Sequence, residues 1–198
     1  MKNICKITIL LLIFIYKDCF GNQNQNRIFK YLQNFNTLKS EFIQVNNNGE
    51  VLSGKIFISR PGKVRIKYNE IPLLIISDGK KVATINKKLK SITFYRLSDI
   101  PVSLLLFKNF KYDRINILDI KKYENQLVMR INEKKKNSTG FVEVLFEEIP
   151  FQMKKWTVFR DKNSKTEVLL NNIILDEKIV LQLFDIGIED PRPKVLPK

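Results

Sequence analysis

"SGKIFISRPGKVRIKY", residues Ser53 to Tyr68, decides how the chain folds. It reads as two short β-strands around a Pro61-Gly62 turn, with Ile56, Ile58 and Arg60 in one alternating phase and Phe57 and Ser59 in the other. Beyond the turn, Val64, Ile66 and Tyr68 alternate with Lys63, Arg65 and Lys67, so the strand has one apolar face and one wet face. Arg60 breaks the pattern by ending an apolar row. Arginine is rarely fully buried unless paired. Either the strand has left the core by Arg60, or something inside needs a guanidinium.

The same period of two runs through most of the chain. "TLKSEFIQV", "EVLSGKIFIS", "KVRIKY", "LLIIS", "KVATIN" and "SITFYR" are candidate strands, joined at "NNNG", "PG", "SDG" and "NKKLK". Asn48-Gly49 and Asp78-Gly79 supply the positive φ that tight hairpins need. A break follows at "LSDIPVSLLLFKN", where Pro101 suits a first helical turn, Ser98 and Asp99 can cap it, and Val102, Leu105 and Leu106 share a face. The strands resume as "YDRINILDI", "QLVMRIN", "FVEVLFEE", "QMKKWTVF", "EVLLNNIIL" and "KIVLQLF", before a Pro-rich tail. "NEKKKNSTG" reads as a polar hairpin loop. Ahead of the first strand, Ile28, Tyr31, Leu32 and Phe35 fall at i, i+3, i+4 and i+7, the stripe of an amphipathic helix.

The expectation is one mainly β domain, a meander of about 11–12 strands with two short helices and no linker. Two helices are few for so large a one-sided sheet. Either it closes as a barrel and fills itself, or it stays partly open and its concave face holds a lipid.

The first residues obey different rules. Lys2 and Lys6 precede the apolar run "ITILLLIFIY", which is followed by the polar "KDCFGNQ". This is the pattern of a secretory signal, and the run is too short to span a bilayer. Residues 1–21 are therefore expected to be a cleaved signal peptide and residues 22–198 the exported domain, in the periplasm. An uncleaved anchor and lipidation at Cys19 are the alternatives; Tyr16, Lys17 and Asp18 make a poor context for the second.

Both cysteines, Cys5 and Cys19, lie in this leader, and the chain contains no histidine. That excludes Cys-His and Ser-His-Asp nucleophilic sites and zinc sites built on Cys or His from the exported part. The adjacent carboxylates Glu147-Glu148 and Glu189-Asp190 stand beside turns or in the tail and read as solvated surface rather than a glycosidase pair. No enzyme, cofactor or metal is expected. The net charge of +15 suits nucleic acid or an anionic membrane. Exported proteins seldom meet nucleic acid, and a composition rich in Lys, Ile and Asn also follows from AT-rich codons.

"SGKIFISRPGKVRIKY" followed by "PLLIISDGK", Pro72 to Lys80, resembles the signature of the LolA family of periplasmic outer-membrane lipoprotein carriers. The likeness extends over most of the exported chain through the leading helix, "LKSEFIQ", "PVSLLL" and "DPRP". It implies an incomplete antiparallel β-barrel with a helical lid over an apolar cavity, and a monomer that takes acylated lipoproteins from the inner-membrane exporter LolCDE and delivers them to an outer-membrane acceptor, LolB, where one exists. By position, Arg60 matches the family arginine that latches the lid through backbone carbonyls, a task suited to a planar fork of five donors. As a rim residue it would instead snorkel to water. The candidates for the acyl-chain cavity are Ile56, Ile58, Val64, Ile66, Phe94, Leu105 and Leu106, residues that ordinary core would also contain. Val64 and Ile66 stand where relatives often carry aromatics, so a more aliphatic lining is implied. Sister uses of the same half-barrel are a LolB-like acceptor, which needs a lipidated cysteine, and an RseB-like envelope sensor, which needs an extra domain.

Overall fold

The structure is a computed structural model that describes residues 23–106, 115–134, 140–161 and 163–193. The expected leader with its two cysteines, and most of the "NEKKKNSTG" loop, lie outside the described residues. Helix α1 occupies residues 23–34. Eleven strands follow: β1 (Thr37–Val45), β2 (Val51–Ser59), β3 (Lys63–Tyr68), β4 (Leu73–Asp78), β5 (Lys81–Asn86), β6 (Ser91–Arg96), β7 (Ile115–Lys122), β8 (Gln126–Glu133), β9 (Phe141–Glu148), β10 (Phe151–Asp161) and β11 (Ser164–Leu175).

They form one sheet in the order β6-β5-β4-β3-β2-β1-β11-β10-β9-β8-β7. Every pairing is antiparallel, and each joins strands adjacent in sequence except β1 with β11. That one long-range ladder fuses two meanders, and β6 and β7 are left as unpaired ends of an open sheet. Register shifts at Lys39/Glu41, Ile117/Asp119 and Met153/Lys155 interrupt the ladders. Such bulges bend a strand and raise its twist, which is how a long sheet curls.

The alternation of the sequence becomes two faces. On the inner face Leu38 opposes Ile58, Ile58 opposes Val64, Ile56 opposes Ile66, and Ile66 opposes Ile75. In the second meander Trp156, Val144 and Met129 continue the row. These side chains form one core with Ile28, Phe29 and Leu32 of α1 and with Phe35 just beyond it. Burying an Ile, Leu or Phe side chain contributes about 1.5–3 kcal/mol, so these four residues dominate what holds this helix to the sheet.

The turns explain why Arg-Pro-Gly and Ser-Asp-Gly belong together. Gly62 and Gly79 have φ of +74° and +100°, and a Cβ on Gly62 would come within 2.9 Å of the Gly79 Cα. The buried Ser77 hydroxyl bridges them, donating to the Gly62 carbonyl at 2.7 Å and accepting from the Gly79 N–H at 3.2 Å. Two hairpin turns thus pack backbone to backbone.

Three expectations change. The second helix is realised as 3-10 turns, Leu97–Asp99 and Pro101–Leu106. The expected last strand at "KIVLQLF" is not one: residues 177–180 are irregular and Leu181–Phe184 is a 3-10 turn, followed by α2 (Ile186–Glu189) with Asp185 as its N-cap. Both edges of β11 are already taken by β1 and β10, so the segment cannot continue the meander beside the strand it follows. It lies instead on the outer face. There Ile186 packs with Leu74, Ile76, Ala83 and Ile85 in a second small core, so β4 is apolar on both faces and β5 turns Ala83 and Ile85 outward. Arg65, expected on a wet face, holds this segment by donating to the Leu183 carbonyl at 3.0 Å and to Glu189 at 2.5 Å, with Lys87 on the same carboxylate at 3.0 Å.

Partial burial works to raise the Glu189 pKa, but the bonds from Arg65 and Lys87 outweigh it and hold the group below its ordinary 4.5. A depressed carboxyl stabilises the folded arrangement above the ordinary value and loses that contribution as pH falls through the depressed one. Amide exchange of residues 183–189 is therefore expected to accelerate as pH is lowered from about 4.5, after correction for intrinsic rates, with less change in Glu189→Gln. A second expectation concerns Gly54, whose added Cβ would lie 2.8 Å from the Phe42 ring and collide with the Lys67 carbonyl. Gly54→Ala is expected to cost about 1–3 kcal/mol, read as a lowered denaturation midpoint.

Candidate functional site

The residue that breaks the alternation lies at the junction of three elements. The Arg60–Pro61 peptide, which is cis, follows β2, and the Arg60 side chain turns inward, 8% exposed. Its Nη1 donates to the Leu32 carbonyl and, at 3.5 Å, to that of Phe35; its Nη2 donates to the Leu105 carbonyl at 2.5 Å. The guanidinium plane lies over the Phe35 ring, 3.6 Å from its centroid. Two backbone bonds reinforce the junction, Arg60 N–H to the Asn36 carbonyl and Gly62 N–H to the Leu106 carbonyl, each 2.9 Å.

The partners follow from local chemistry. The last carbonyls of a helix have no partner within it and carry the negative end of its dipole. Leu32 is in the last turn of α1 and Phe35 just beyond it. A cation with several donors in one plane satisfies them and also reaches the separate turn at Leu105. Burial pulls the Arg60 pKa down to about 10, with Tyr31 and Asp176 opposing the shift, so the side chain is a cation at neutral pH. Its hydrogen-bond acceptors are carbonyls.

A second arginine holds the front of α1. Arg27 forms a salt bridge with Glu148, donates to the Glu148 carbonyl at 3.3 Å, and stacks 4.1 Å from the centroid of Phe151. Between the two arginines, Tyr31 meets Phe146 and Phe151 edge-on at 5.6 and 5.8 Å. Helix α1 therefore lies across the inner face, tied to the β9–β10 turn at one end and to the β2–β3 turn at the other. Sequence reasoning missed Arg27 and read Glu148 as solvated surface, whereas its side chain is largely buried against Arg27. The helical spacing of Arg27 and Tyr31, i and i+4, was the available signal, but the partner strand was not.

Ile56, Ile58 and Val64 are buried on the inner face, Ile66 is half-buried there, and Leu105 and Leu106 are buried beside the Arg60 clamp. Phe94, expected with them, stands elsewhere. It pairs with Ala83 across the ladder and so points to the outer face, 41% exposed, with the Lys81 ammonium 5.0 Å from its ring centroid. Its neighbour Tyr95, opposite Val82, takes the inner phase. The aromatic-rich "TFY" run on an edge strand left the choice of phase undetermined in the sequence.

An open antiparallel sheet with one continuous apolar inner face, crossed by a helix held through its carbonyls, defines the architecture. The family model described as outer membrane lipoprotein carrier protein LolA matches residues 33–187, and the chain belongs to the LolA family. Among solved structures, a DUF1329 family protein from Desulfovibrio piger is similar at a TM-score of 0.51 and 9% identity, over 85% of this chain and 98% of that one. A LolA superfamily protein from Nitrosomonas europaea gives 0.47 and 8% over 85% and 98%. The MucA/MucB complex of Pseudomonas aeruginosa gives 0.37 and 11%, covering 85% of this chain and 62% of that one. No curated protein matches the sequence. Among the described residues, no helix is long and apolar enough to cross a membrane.

Arg60→Leu removes three donor contacts and leaves the α1 end and the Leu105 turn without them. Hydrogen bonds from charged groups are worth about 1.5–3 kcal/mol. Amide exchange in residues 28–35 is expected to rise by at least about tenfold, with β8 and β9 unchanged. Arg60→Lys is expected to recover only part of the protection, since an ammonium lacks the planar fork.

Proposed function

We propose that this protein is a periplasmic carrier that binds the acyl chains of lipoproteins released from the inner membrane and passes them to the outer membrane. In this reading residues 1–21 are a cleaved leader and residues 22–198 the carrier domain. The observation that carries it is the Arg60 clamp, in which a helix covering an apolar interior is closed by hydrogen bonds to carbonyls that can be broken and remade.

The energies make such a device workable. One 16-carbon chain resists crossing water by on the order of 12 kcal/mol, at about 0.8 kcal/mol per methylene. Closing α1 over the sheet recovers about 1.5–3 kcal/mol for each of Ile28, Leu32 and Phe35, and the clamp adds its charged hydrogen bonds. The two totals are of similar size, so an acyl chain displaces the helix without being held irreversibly. The α1 stripe and the Leu105–Leu106 turn act as the lid, and Ile56, Ile58, Val64 and Ile66 as wall. The donor would be an exporter of the LolCDE kind and the acceptor a LolB-like protein where present. No bond is made or broken, in keeping with an exported chain without histidine or cysteine.

The clamp competes with the ligand for the open state. Arg60→Leu is therefore expected to accept an acylated peptide at least as well as the wild type and to release it to acceptor membranes about tenfold or more slowly. Release of a fluorescent triacylated peptide from the purified exported chain measures this. A wild-type chain that neither binds the peptide nor frees a lipoprotein from spheroplasts would sink the carrier reading; equal release rates would sink the latch.

A further inference from the structure

The β5–β6 hairpin has an organisation that the acyl-binding interior does not use. Residues 80–96, "KKVATINKKLKSITFYR", contain Lys80, Lys81, Lys87, Lys88, Lys90 and Arg96 and no Asp or Glu. In the second meander charges are balanced across strands, with Arg130 on Glu143 at 2.9 Å and Lys155 on Glu167 at 3.2 Å. Here the register sets Lys81 directly against Arg96, as it sets Lys55 against Lys67 in the β2–β3 ladder, but this hairpin has no acidic residue of its own. Like charges facing each other across a ladder are destabilising. Lys87 and Arg96 find carboxylates outside the hairpin, Glu189 and Asp99, whereas Lys88 and Lys90 have no such partner among the described residues.

An apolar side chain stands at the centre of this charge. Leu89, between Lys88 and Lys90 at the tip, is 72% exposed. Its position is fixed, because the Asn86 carboxamide oxygen accepts the Lys88 and Leu89 N–H groups at 3.0 and 2.9 Å. Lys90 adopts a left-handed φ of 49°. Along the edge strand, Phe94 and Tyr95 are also exposed. A rigid apolar tip ringed by lysines, with aromatic side chains behind it, matches the chemistry of a bilayer surface. Leucine enters the headgroup–acyl boundary, ammonium groups meet anionic headgroups, and amphipathic rings sit at the interface. An acidic protein surface would satisfy the lysines but gives no role to an isolated leucine at the apex.

We propose that the Lys87–Lys90 tip of the β5–β6 hairpin is a docking element for anionic phospholipid membranes, by which the protein settles reversibly on a bilayer. The element is separate from the apolar interior and does not depend on what that interior holds.

The full exported chain is tested by co-sedimentation with vesicles of phosphatidylcholine containing phosphatidylglycerol, and of phosphatidylcholine alone. Binding is expected only to the anionic vesicles and is expected to fall with salt. Each lysine near such a surface strengthens binding about fivefold, so Lys88→Gln/Lys90→Gln is expected to weaken it on the order of twentyfold. Leu89→Ser is expected to weaken it about tenfold. Both lysines are exposed, and an unchanged thermal midpoint and acylated-peptide affinity would show each variant intact. If a variant is destabilised, Leu89→Trp in the otherwise unchanged chain is read by the blue shift of its emission on anionic vesicles. Absence of wild-type binding, equal binding to neutral vesicles, or wild-type binding by an intact double-lysine variant overturns the proposal. So does charge-dependent binding to polyglutamate without vesicle binding, which would favour an acidic protein partner. Loss of acylated-peptide binding alone would bear on the carrier reading and not on the hairpin.

Discussion

Everything in the interior depends on one cation held by carbonyls. Arg60 brings together the end of α1, the turn after β2 and the 3-10 turn at Leu105, and it does so in a place from which water is largely excluded. A carboxylate partner would have made a tighter and more self-contained pair. Carbonyls at a helix end leave the charge neutralised only in part, by dipoles that move with α1. The stability of the guanidinium and the position of the helix are thus one quantity, and neither changes without the other.

The opening stretch contains two arginines, and the structure gives them opposite faces. Arg60 reaches inward to α1, while Arg65, five residues on, reaches outward to Leu183 and Glu189. The β2–β3 hairpin is consequently the part of the sheet to which both covering segments are fastened. Its own rigidity comes from the turn contact between Gly62 and Gly79, bridged by Ser77. A turn able to bend would make the Arg60 clamp soft, so the glycines and the serine matter to the interior without touching it.

Much of the fold was legible because strands announce themselves by alternation. The strands β1, β3, β5, β6 and β9 lie where their patterns placed them, and the stripe Ile28, Leu32, Phe35 faces the core. The failures share a cause. "KIVLQLF" has strand-like composition, but an element becomes a strand only if a neighbour offers an edge, and β11 has none to give. Phe94 and Tyr95 are adjacent aromatics on an edge strand, and which of them faces inward depends on a register set by the Asn86–Ser91 turn.

The sequence by itself determined a β-rich domain, the two phases of each strand, an amphipathic leading helix, the absence of imidazole, and the anomaly at Arg60. Period and composition are local properties, so a single chain suffices to read them. Only the tertiary structure decided that β11 returns to pair with β1, that the tail covers the outer face, and that the Arg60 guanidinium meets the carbonyls of Leu32 and Leu105. Those partners are 28 and 45 residues away along the chain, and a backbone carbonyl has no residue identity to mark it.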